Sequence, residues 1–340
     1  MNRILGGRAV GKLRGDAPHA LTSYLKVAAL GSVLAGAGAL AYARYVEPYW
    51  LAVERSSLTL PRLAPPFDGY RLAHISDPHM DGWMTPERLD RIVDLVNDQE
   101  PDLVAITGDF IAVSAEYASG IGGPLKRLRA PDGAVAVLGN HDHMNDAAAV
   151  RRALCLAGVI DVSNQVRTLR RDGSALHLCG VDSVMEGLDD LAKVLETLEH
   201  REPGCAVLLV HEPDFADESA ETGRFDLQLS GHSHGGQVKL PLLNTPYVVP
   251  LLSGLGFSFV PPLIYKYPNG LYEVGRMYQY TNRGLGVIYA RFRLNCRPEV
   301  TLITLRAPSR EAGGGLAPGS IADDDRCERE QEHILHKRSA

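Results

Sequence analysis

Residues 225–236, FDLQLSGHSHGG, decide the fold, because an apolar run there ends in a glycine and two closely spaced histidines. Residues 225–229 predict a short buried strand. His232 and His234 follow it at i, i+2 spacing, so both imidazoles point the same way if the backbone stays extended. The glycines that come next permit positive φ and close approach to an ion or a phosphate. The stretch therefore predicts a strand that delivers two imidazoles to one place.

The same arrangement, an apolar strand followed by a polar motif, occurs four more times along the chain. The motifs are Asp77-Pro78-His79, Gly108-Asp109, Gly139-Asn140-His141-Asp142 and His211-Glu212. Ligands gather at the carboxyl ends of strands in α/β sheets, so these motifs are expected to converge in space. Carboxylates, imidazoles and one amide suit borderline divalent ions such as Mn²⁺, Fe²⁺, Zn²⁺ or Co²⁺. One motif alone is weak evidence, whereas all five in this order predict a metal site, and a single Asp between two halves can bridge two ions.

The segments between and after these strands predict the fold class. Apolar residues recur at helical spacing over residues 86–99, 146–157 and 188–198. Strands at 166–169 and 175–181 flank Arg171-Asp172-Gly173, which is typical of a hairpin turn. From Gln237 to a last strand at 300–305 the pattern consists of strands and turns. Strand–helix alternation followed by a β-rich half predicts an α/β layered domain.

Taken together, the motifs resemble those of the calcineurin-like metallophosphoesterases, and the likeness covers about residues 70–306. The resemblance implies a four-layer fold, in which a β-sandwich is flanked by α-helices and the dinuclear site lies at the strand ends. It also implies hydrolysis of a phosphoric ester by in-line attack of a metal-bridging hydroxide. The chain is thus expected to be an enzyme.

Carried over motif by motif, the resemblance assigns a role to each site residue. The metal ligands divide into a first group, Asp77, His79 and His234, a second group, Asn140, His211 and His232, and a bridging residue, Asp109. His141 would stabilise the phosphoryl oxygens or protonate the leaving group, and Asp142 would orient His141. The expected cofactors are two divalent metal ions, with Mn²⁺ first and Fe, Zn, Co or Mg as alternatives.

The second half resembles the membrane-associated bacterial phosphodiesterases of this superfamily. The motifs that carry this likeness are GGQ at 235–237, NGLY at 269–272, NRGLG at 282–286 and RLNCRPE at 293–299. Some members of that branch are similar to enzymes that act on UDP-diacylglucosamine or other lipid-linked phosphates. The resemblance implies a phosphodiesterase or pyrophosphatase with a lipid-linked or UDP-sugar-lipid substrate. A broad phosphomonoesterase and a metal-stabilised binding module without turnover remain open alternatives.

Residues 27–43, VAALGSVLAGAGALAYA, contain no charge and predict a transmembrane anchor. Seventeen helical residues at about 1.5 Å each nearly span a hydrocarbon core of about 30 Å. The basic residues of segment 1–26 favour the cytoplasm for that end, which places the catalytic domain outside it as a single-pass membrane protein. A cleaved signal peptide is the alternative, because Ala41-Tyr42-Ala43 fits a small-x-small cleavage site.

The remaining boundaries follow from composition. The proline-containing segment 44–69 is expected to be an extended linker to the domain at 70–306, and residues 307–340 a disordered tail. Two apolar stretches, 247–255 and 257–265, are expected to form either a β-rich lid or a loop that touches lipid.

Charge and cysteine content exclude several classes of protein. A net charge of −6 and 6% aromatic residues disfavour nucleic acid as a partner. Five scattered cysteines argue against a disulfide framework and against a zinc–thiolate site. The expected partners are a phosphate-ester substrate, with a phospholipid or a lipid-linked nucleotide as candidates, and the cell membrane.

Overall fold

The computed structural model describes residues 17–239, 265–288 and 291–309. The helices of these residues are α1 Ala17–Tyr45, α2 Pro86–Asn97, α3 Gly122–Leu125, α4 Asn140–Asn145, α5 Ala147–Ala157, α6 Leu191–Glu199 and α7 Ala216–Glu221. The strands are β1 Ala52–Thr59, β2 Tyr70–Ile75, β3 Leu103–Thr107, β4 Ala134–Val137, β5 Val159–Asp161, β6 Gln165–Arg171, β7 Ser174–Gly180, β8 Gly204–Leu209, β9 Leu227–Ser230, β10 Gly270–Val274, β11 Met277–Thr281 and β12 Glu299–Arg306.

The strands form two six-stranded sheets with the orders β1-β12-β2-β3-β4-β5 and β10-β11-β9-β8-β7-β6. In the first sheet β2 to β5 run parallel, and β12 is antiparallel to β2. In the second sheet β7, β8, β9 and β11 run parallel, with antiparallel strands at both edges. The carboxyl ends of the central strands therefore lie together at one edge of each sheet.

Three buried clusters make this a four-layer α/β sandwich, which confirms the predicted fold class. The two sheets pack face to face through residues such as Leu72, Val207 and Ile303. Helices α2, α3 and α5 cover the outer face of the first sheet, and α6 and α7 cover the second. Helix α5 ends at Gly158, whose φ of 77° is typical of a helix C-terminus.

Strand β1 corrects the prediction of an extended linker at 44–69. Residues 52–59 pair in parallel with β12, from Ala52 opposite Glu299 to Thr59 opposite Arg306. Leu58 and Phe67 are fully buried between the two sheets. The prolines of this segment lie before and after the strand rather than inside it, so every amide of 52–59 is free to pair. The folded domain therefore begins before residue 70.

Helix α1 includes the predicted anchor of 27–43 and extends beyond both of its ends. A span over Thr22–Tyr49 has a mean hydropathy of 1.5, and none of its most apolar window is buried in the protein. By length and composition this helix can cross a membrane. The stretch 247–255, most of 257–265, and nearly all of the predicted tail at 307–340 lie outside the described residues.

Candidate metal centre

Five loops at the carboxyl ends of strands meet at one edge of the sandwich, as the sequence predicts. From the first sheet, the loops after β2, β3 and β4 bring Asp77, His79, Asp109 and Asn140. From the second sheet, the loops after β8 and β9 bring His211, His232 and His234. Six of these seven side chains are buried and that of His232 is partly buried.

Six of the side chains form two clusters that could each hold a metal ion, and Asp109 occupies the place in the second cluster that the prediction gave to Asn140. In one, Asp77, His79 and His234 offer ligand atoms that all lie within 4.8 Å of one another; in the other, Asp109, His211 and His232 do the same. The Nε2 atoms of His79 and His234 lie 3.0 Å apart. The His211 Nε2 and His232 Nδ1 atoms lie 3.1 Å apart. Buried imidazole nitrogens that face one another beside a carboxylate are a donor set suited to a borderline divalent ion.

Asp109 belongs to the second cluster and also faces the first. Its Oδ2 is 3.3 Å from the Nε2 of His79 and 3.1 Å from the Nε2 of His211. Its Oδ1 accepts a hydrogen bond from the backbone N–H of His141 at 2.9 Å. One carboxylate oxygen is thus held by the backbone, and the other faces both clusters, which is the geometry that a bridging ligand requires.

Asn140 has a buried amide oxygen, Oδ1, without a hydrogen-bond partner. Buried polar atoms are nearly always paired, so this oxygen calls for an explanation. Asn140 follows Gly139, which packs against the Asp109 carboxylate. The unpaired oxygen and the donor set around Asp109 fit a site for two divalent ions.

The backbone of the ligand loops is unusual. Asp77, His79, Asp109, His232 and His234 have φ between 47° and 66°, in the left-handed region. Each such conformation costs on the order of 1–3 kcal/mol and persists only where the surrounding structure imposes it. The expectation that an extended backbone aligns the i, i+2 ligand pairs is therefore wrong, because left-handed turns direct these side chains.

Two glycines let the ligand loops approach one another closely. A Cβ atom on Gly139 would overlap the carboxylate of Asp109 and lie 2.6 Å from its backbone nitrogen. A Cβ atom on Gly231 would overlap Ser76 and the carboxylate of Asp77. Glycine thus precedes Asn140 and His232 because the neighbouring loop leaves no room for a side chain.

The electrostatics of the clusters follow from burial opposed by opposite charges. Burial lowers the pKa of His211, but the charges of Asp109, Asp77 and Glu212 and the hydrogen bond to Asp109 together raise this pKa well above its ordinary value. Burial raises the pKa of Asp77, yet the charge of His234 and hydrogen bonds leave it well below the usual range. Burial lowers the pKa of His232 and of His234 to about 4. The buried carboxylates thus stay ionised, and a buried anion needs positive charge beside it.

His141 directly follows Asn140 and is only partly buried. Its Nδ1 is 2.8 Å from the carbonyl oxygen of Ala112 and donates to it, so Nε2 is left for a substrate. Its ring lies 4.9 Å from that of His79 in an edge-to-face arrangement. Burial lowers the pKa of His141, opposed by the charge of Asp109.

Asp142 does not orient His141, so that part of the prediction is wrong. Its Oδ1 accepts from the backbone N–H of Ile111 at 3.1 Å and its Oδ2 from that of Gly139 at 3.0 Å. Burial, with repulsion from Asp109, raises the pKa of Asp142 to about 7. Asp142 therefore joins the loops after β3 and β4, and the carbonyl of Ala112 holds His141 instead. A backbone carbonyl leaves no sequence signal.

Glu212 and Asp182 support the site from the neighbouring loop. Glu212 accepts from the Ser183 hydroxyl at 2.7 Å and from the backbone N–H groups of residues 184 and 185. Asp182 Oδ1 lies 2.7 Å from Nε2 of His143. These contacts hold the loop after β7 against the loops that carry His211 and Asn140.

Four basic residues of the second half, Lys266, Arg283, Arg291 and Arg293, are each held by partners within the protein. They pair separately: Lys266 with Asp217, Arg283 with Glu54 and Glu299, and Arg291 with Asp81. Arg293 is fully buried, and its guanidinium donates to the carbonyl oxygens of Arg283, Gly284 and Gly286. Its Nη2 also lies 3.4 Å from the Nδ1 of His234, a contact that the sequence did not predict. Because their charges are satisfied by these partners, the four basic residues serve the structure of the protein.

Comparisons with known proteins agree with the geometry. A model of the family described as calcineurin-like phosphoesterase matches residues 70–236. The chain is 34% identical over 283 residues to the uncharacterized metallophosphoesterase YkuE of Bacillus subtilis, covering 82% of this chain and 93% of that protein. It is 28% identical over 285 residues to the phosphodiesterase YaeI of Escherichia coli, covering 82% and 96%. It is 30% identical over 318 residues to a Bos taurus transmembrane protein with metallophosphoesterase domain, covering 88% and 66%.

Proposed function

Since this chain belongs to the calcineurin-like phosphoesterase family and is a hydrolase of phosphoric ester bonds, we propose that its strand-end site is a dinuclear centre that cleaves a phosphodiester or pyrophosphate bond. The observation that carries the proposal is the position of Asp109, whose Oδ2 lies 3.3 Å and 3.1 Å from imidazole nitrogens of the two clusters.

The residues proposed as ligands of one ion are Asp77, His79 and His234, and those of the other are Asn140, His211 and His232, with Asp109 shared. When bound, two such ions lower the pKa of a coordinated water and neutralise charge that develops on the phosphoryl group. Mn²⁺ is proposed first, with Fe, Zn, Co or Mg as alternatives, because the donor set contains imidazole, carboxylate and amide groups without thiolate.

His141 is proposed as the catalytic residue that contacts the phosphoryl group. Its Nδ1 donates to Ala112, so the neutral ring presents an unprotonated Nε2 to the site. Donation from Nε2 therefore requires the imidazolium form, and a bound phosphate anion would raise the pKa toward that form. In that form Nε2 stabilises a phosphoryl oxygen or protonates the leaving oxygen. Asp142, also predicted as catalytic, would act only by fixing the two ligand loops.

A lipid-linked substrate is proposed from the surface around the site. Val113 follows Ala112, Met144 lies three residues after His141, and Met185 lies on the loop held by Glu212; all three side chains are exposed. Exposed apolar side chains on the loop of Ala112, on α4 and on the loop held by Glu212 suit a phosphate ester that carries an apolar group. The similarity to a phosphodiesterase supports a diester over a monoester.

The proposed location is the cell membrane, with α1 as a single-pass anchor and the catalytic domain outside the cytoplasm. The length of α1 and the similarity to a protein described as transmembrane support this location. The carbonyl oxygen of Ala43 accepts from the backbone N–H of Arg293 at 2.9 Å. Cleavage after Ala43 would remove that contact, which supports an uncleaved anchor over a signal peptide.

Hydrolysis of two small chromogenic esters tests the proposal. The full-length chain in detergent with Mn²⁺ is expected to hydrolyse bis-p-nitrophenyl phosphate faster than p-nitrophenyl phosphate. Faster hydrolysis of the monoester would indicate a broad phosphomonoesterase instead. No hydrolysis of either ester or of lipid phosphates, with two ions bound, would indicate a binding module without turnover and contradict the proposal.

A further inference from the structure

Helix α1 passes onto the catalytic domain without a flexible connection. The Ala43 carbonyl oxygen, in the last turn of the helix, accepts from the backbone N–H of Arg293 at 2.9 Å. Glu47 is buried, and its carboxylate accepts from the backbone N–H groups of Asn295 and Cys296. Hydrogen bonds from N–H groups to a buried carboxylate are short and strong, so the end of α1 is fixed to segment 293–296.

A second set of contacts fixes the short 3₁₀-helix Glu47–Tyr49 that follows α1. The guanidinium of Arg88 lies 3.5 Å from the ring centroid of Trp83 and 4.2 Å from that of Tyr49. Arg88 also donates to the carbonyl oxygen of Pro48 at 2.6 Å, and the indole N–H of Trp83 donates to the Tyr49 hydroxyl at 2.9 Å. Stacking and hydrogen bonds therefore lock this junction to α2 and to the loop before it.

Beside these buried contacts, four large side chains face outward. Tyr45 is 69% exposed, Val46 46%, Tyr49 52% and Trp50 51%. We call these four residues the collar. Their cationic neighbours are Arg44, over the Tyr45 ring at 5.4 Å, and Arg297, over the Trp50 ring at 4.2 Å. Tyrosine, tryptophan and arginine at the end of an apolar helix are typical of the membrane–water interface.

We infer that the collar lies in the head-group layer of the membrane and that the rigid junction holds the metal centre at a fixed orientation above the lipid surface. This inference rests on the membrane anchoring proposed above. The binding partner of the face around the collar is a lipid surface, because the collar continues directly from the apolar helix α1.

The junction also connects the anchor to the metal centre. Trp83 lies in the loop that follows the proposed ligand His79, and it donates to Tyr49 of the collar. Arg293 donates through its backbone to Ala43 and places Nη2 3.4 Å from Nδ1 of the proposed ligand His234. The residues that fix the anchor are thus the neighbours of two proposed ligands. The substrate class that this geometry favours is a phosphoester carried in the same lipid surface.

Tryptophan quenching by brominated lipids tests the position of the collar, because the chain has only two tryptophans. Trp83→Phe leaves Trp50 as the reporter of the collar, and Trp50→Phe leaves the buried Trp83 as a matched internal control. The full-length variants are reconstituted in phosphatidylcholine vesicles with and without bromine on the upper acyl carbons. The emission of Trp50 is expected to fall about twofold or more, since interfacial tryptophans lie at head-group depth. The emission of Trp83 is expected to fall clearly less than that of Trp50, because its ring is buried behind Tyr49.

Two further measurements keep the outcomes separate. The difference between the natural chain and Trp50→Phe gives the Trp50 signal even if Trp83→Phe disturbs the junction. Leu156→Trp, in a chain without the other two tryptophans, places the probe on the exposed face of α5 and should show no quenching.

Co-flotation with vesicles reports anchoring by itself, so its absence contradicts the proposed location. Flotation with an unquenched Trp50, or with equal quenching of the probe at 156, overturns the inference about the collar.

Discussion

The two sheets of the sandwich contribute different chemistry to the proposed centre. The first sheet ends in two carboxylates, an amide and one imidazole, whereas the second provides three imidazoles. Each cluster draws on both sheets, since His234 completes the cluster of Asp77, and Asp109 completes that of His211. The backbone N–H of His232 also donates to both oxygens of Asp77, at 3.0 and 3.2 Å. Because each cluster combines donors from both sheets, metal binding should stabilise the pairing of the sheets as well as supply the chemistry.

The largest effect should come from removing Asp109, whose Oδ2 lies within 3.3 Å of a histidine nitrogen in each cluster. Asp109→Asn is expected to lower kcat/KM by at least about 10³-fold, because loss of ions that each contribute several kcal/mol has this size. Asp172→Asn is the matched control, since Asp172 has a similar φ of 49° but lies in the β6–β7 turn. Diester hydrolysis and metal content measured on both variants check this prediction. Normal turnover by Asp109→Asn would refute the bridging role.

Replacement of His141 should separate catalysis from metal binding. His141→Ala is expected to lower kcat about 10²-fold, a typical contribution of general acid–base catalysis. The metal content should stay at two ions, because the Nδ1 atom of His141 bonds to the carbonyl oxygen of Ala112 and not to a residue of either cluster. Steady-state kinetics together with elemental analysis of the purified variant give both values. A variant that loses metal along with activity would make His141 a ligand.

Removal of the ions should loosen the connection between the sheets. At a hundredfold excess over Kd, a single bound ion stabilises by about 2.7 kcal/mol, so chelation is expected to lower Tm by about 5–10 °C. Differential scanning calorimetry with and without chelator measures the change. Asp109→Asn should show almost no response to the chelator, since it starts without bound ions. An unchanged Tm of the natural chain would show that the ions do not join the two sheets.

The smallest effect concerns the pair between His143 and Asp182, which links the loops after β4 and β7 rather than the clusters. A hydrogen bond to Asp182 raises the pKa of His143 from 6.5, against the effect of burial. Burial raises the pKa of Asp182, but His143 and Arg151 leave it below 3.8. The stabilisation from His143 is complete below the pKa that His143 has in the unfolded chain. It is lost as pH rises through the pKa of His143 in the folded protein. The stabilisation from Asp182 is present above the pKa that Asp182 has in the unfolded chain. It is lost as pH falls through the pKa of Asp182 in the folded protein.

His143→Gln should therefore destabilise the fold most between about pH 4 and 6.5, by up to about 2 kcal/mol. Denaturant unfolding of the two chains at pH 5 and pH 8.5 gives the comparison. Asp182 keeps Arg151 as a partner at 2.9 Å in the variant, so the loop itself should stay folded. Equal destabilisation at both pH values would show that the charge of His143 does not matter.

The clusters could be predicted from sequence because each ligand follows its own apolar strand within a few residues. The contacts that hold the clusters in place could not be predicted, because the partners are backbone atoms or are distant along the chain. Strand β1 pairs with β12 about 250 residues later, and nothing in residues 52–59 identifies that partner. The carbonyl of Ala112 fixes His141 without any sequence signature. The residue type of Asp142 suggested a histidine partner, yet the fold gives it two backbone amides.

The position of two ions on either side of Asp109 is the most direct test of the proposed centre. An anomalous difference map from crystals grown with Mn²⁺ would locate them. The expected result is two peaks, one beside Asp77, His79 and His234 and one beside Asn140, His211 and His232, with Oδ2 of Asp109 contacting both. A single peak, or two peaks of which one lies away from Asp109, would contradict it.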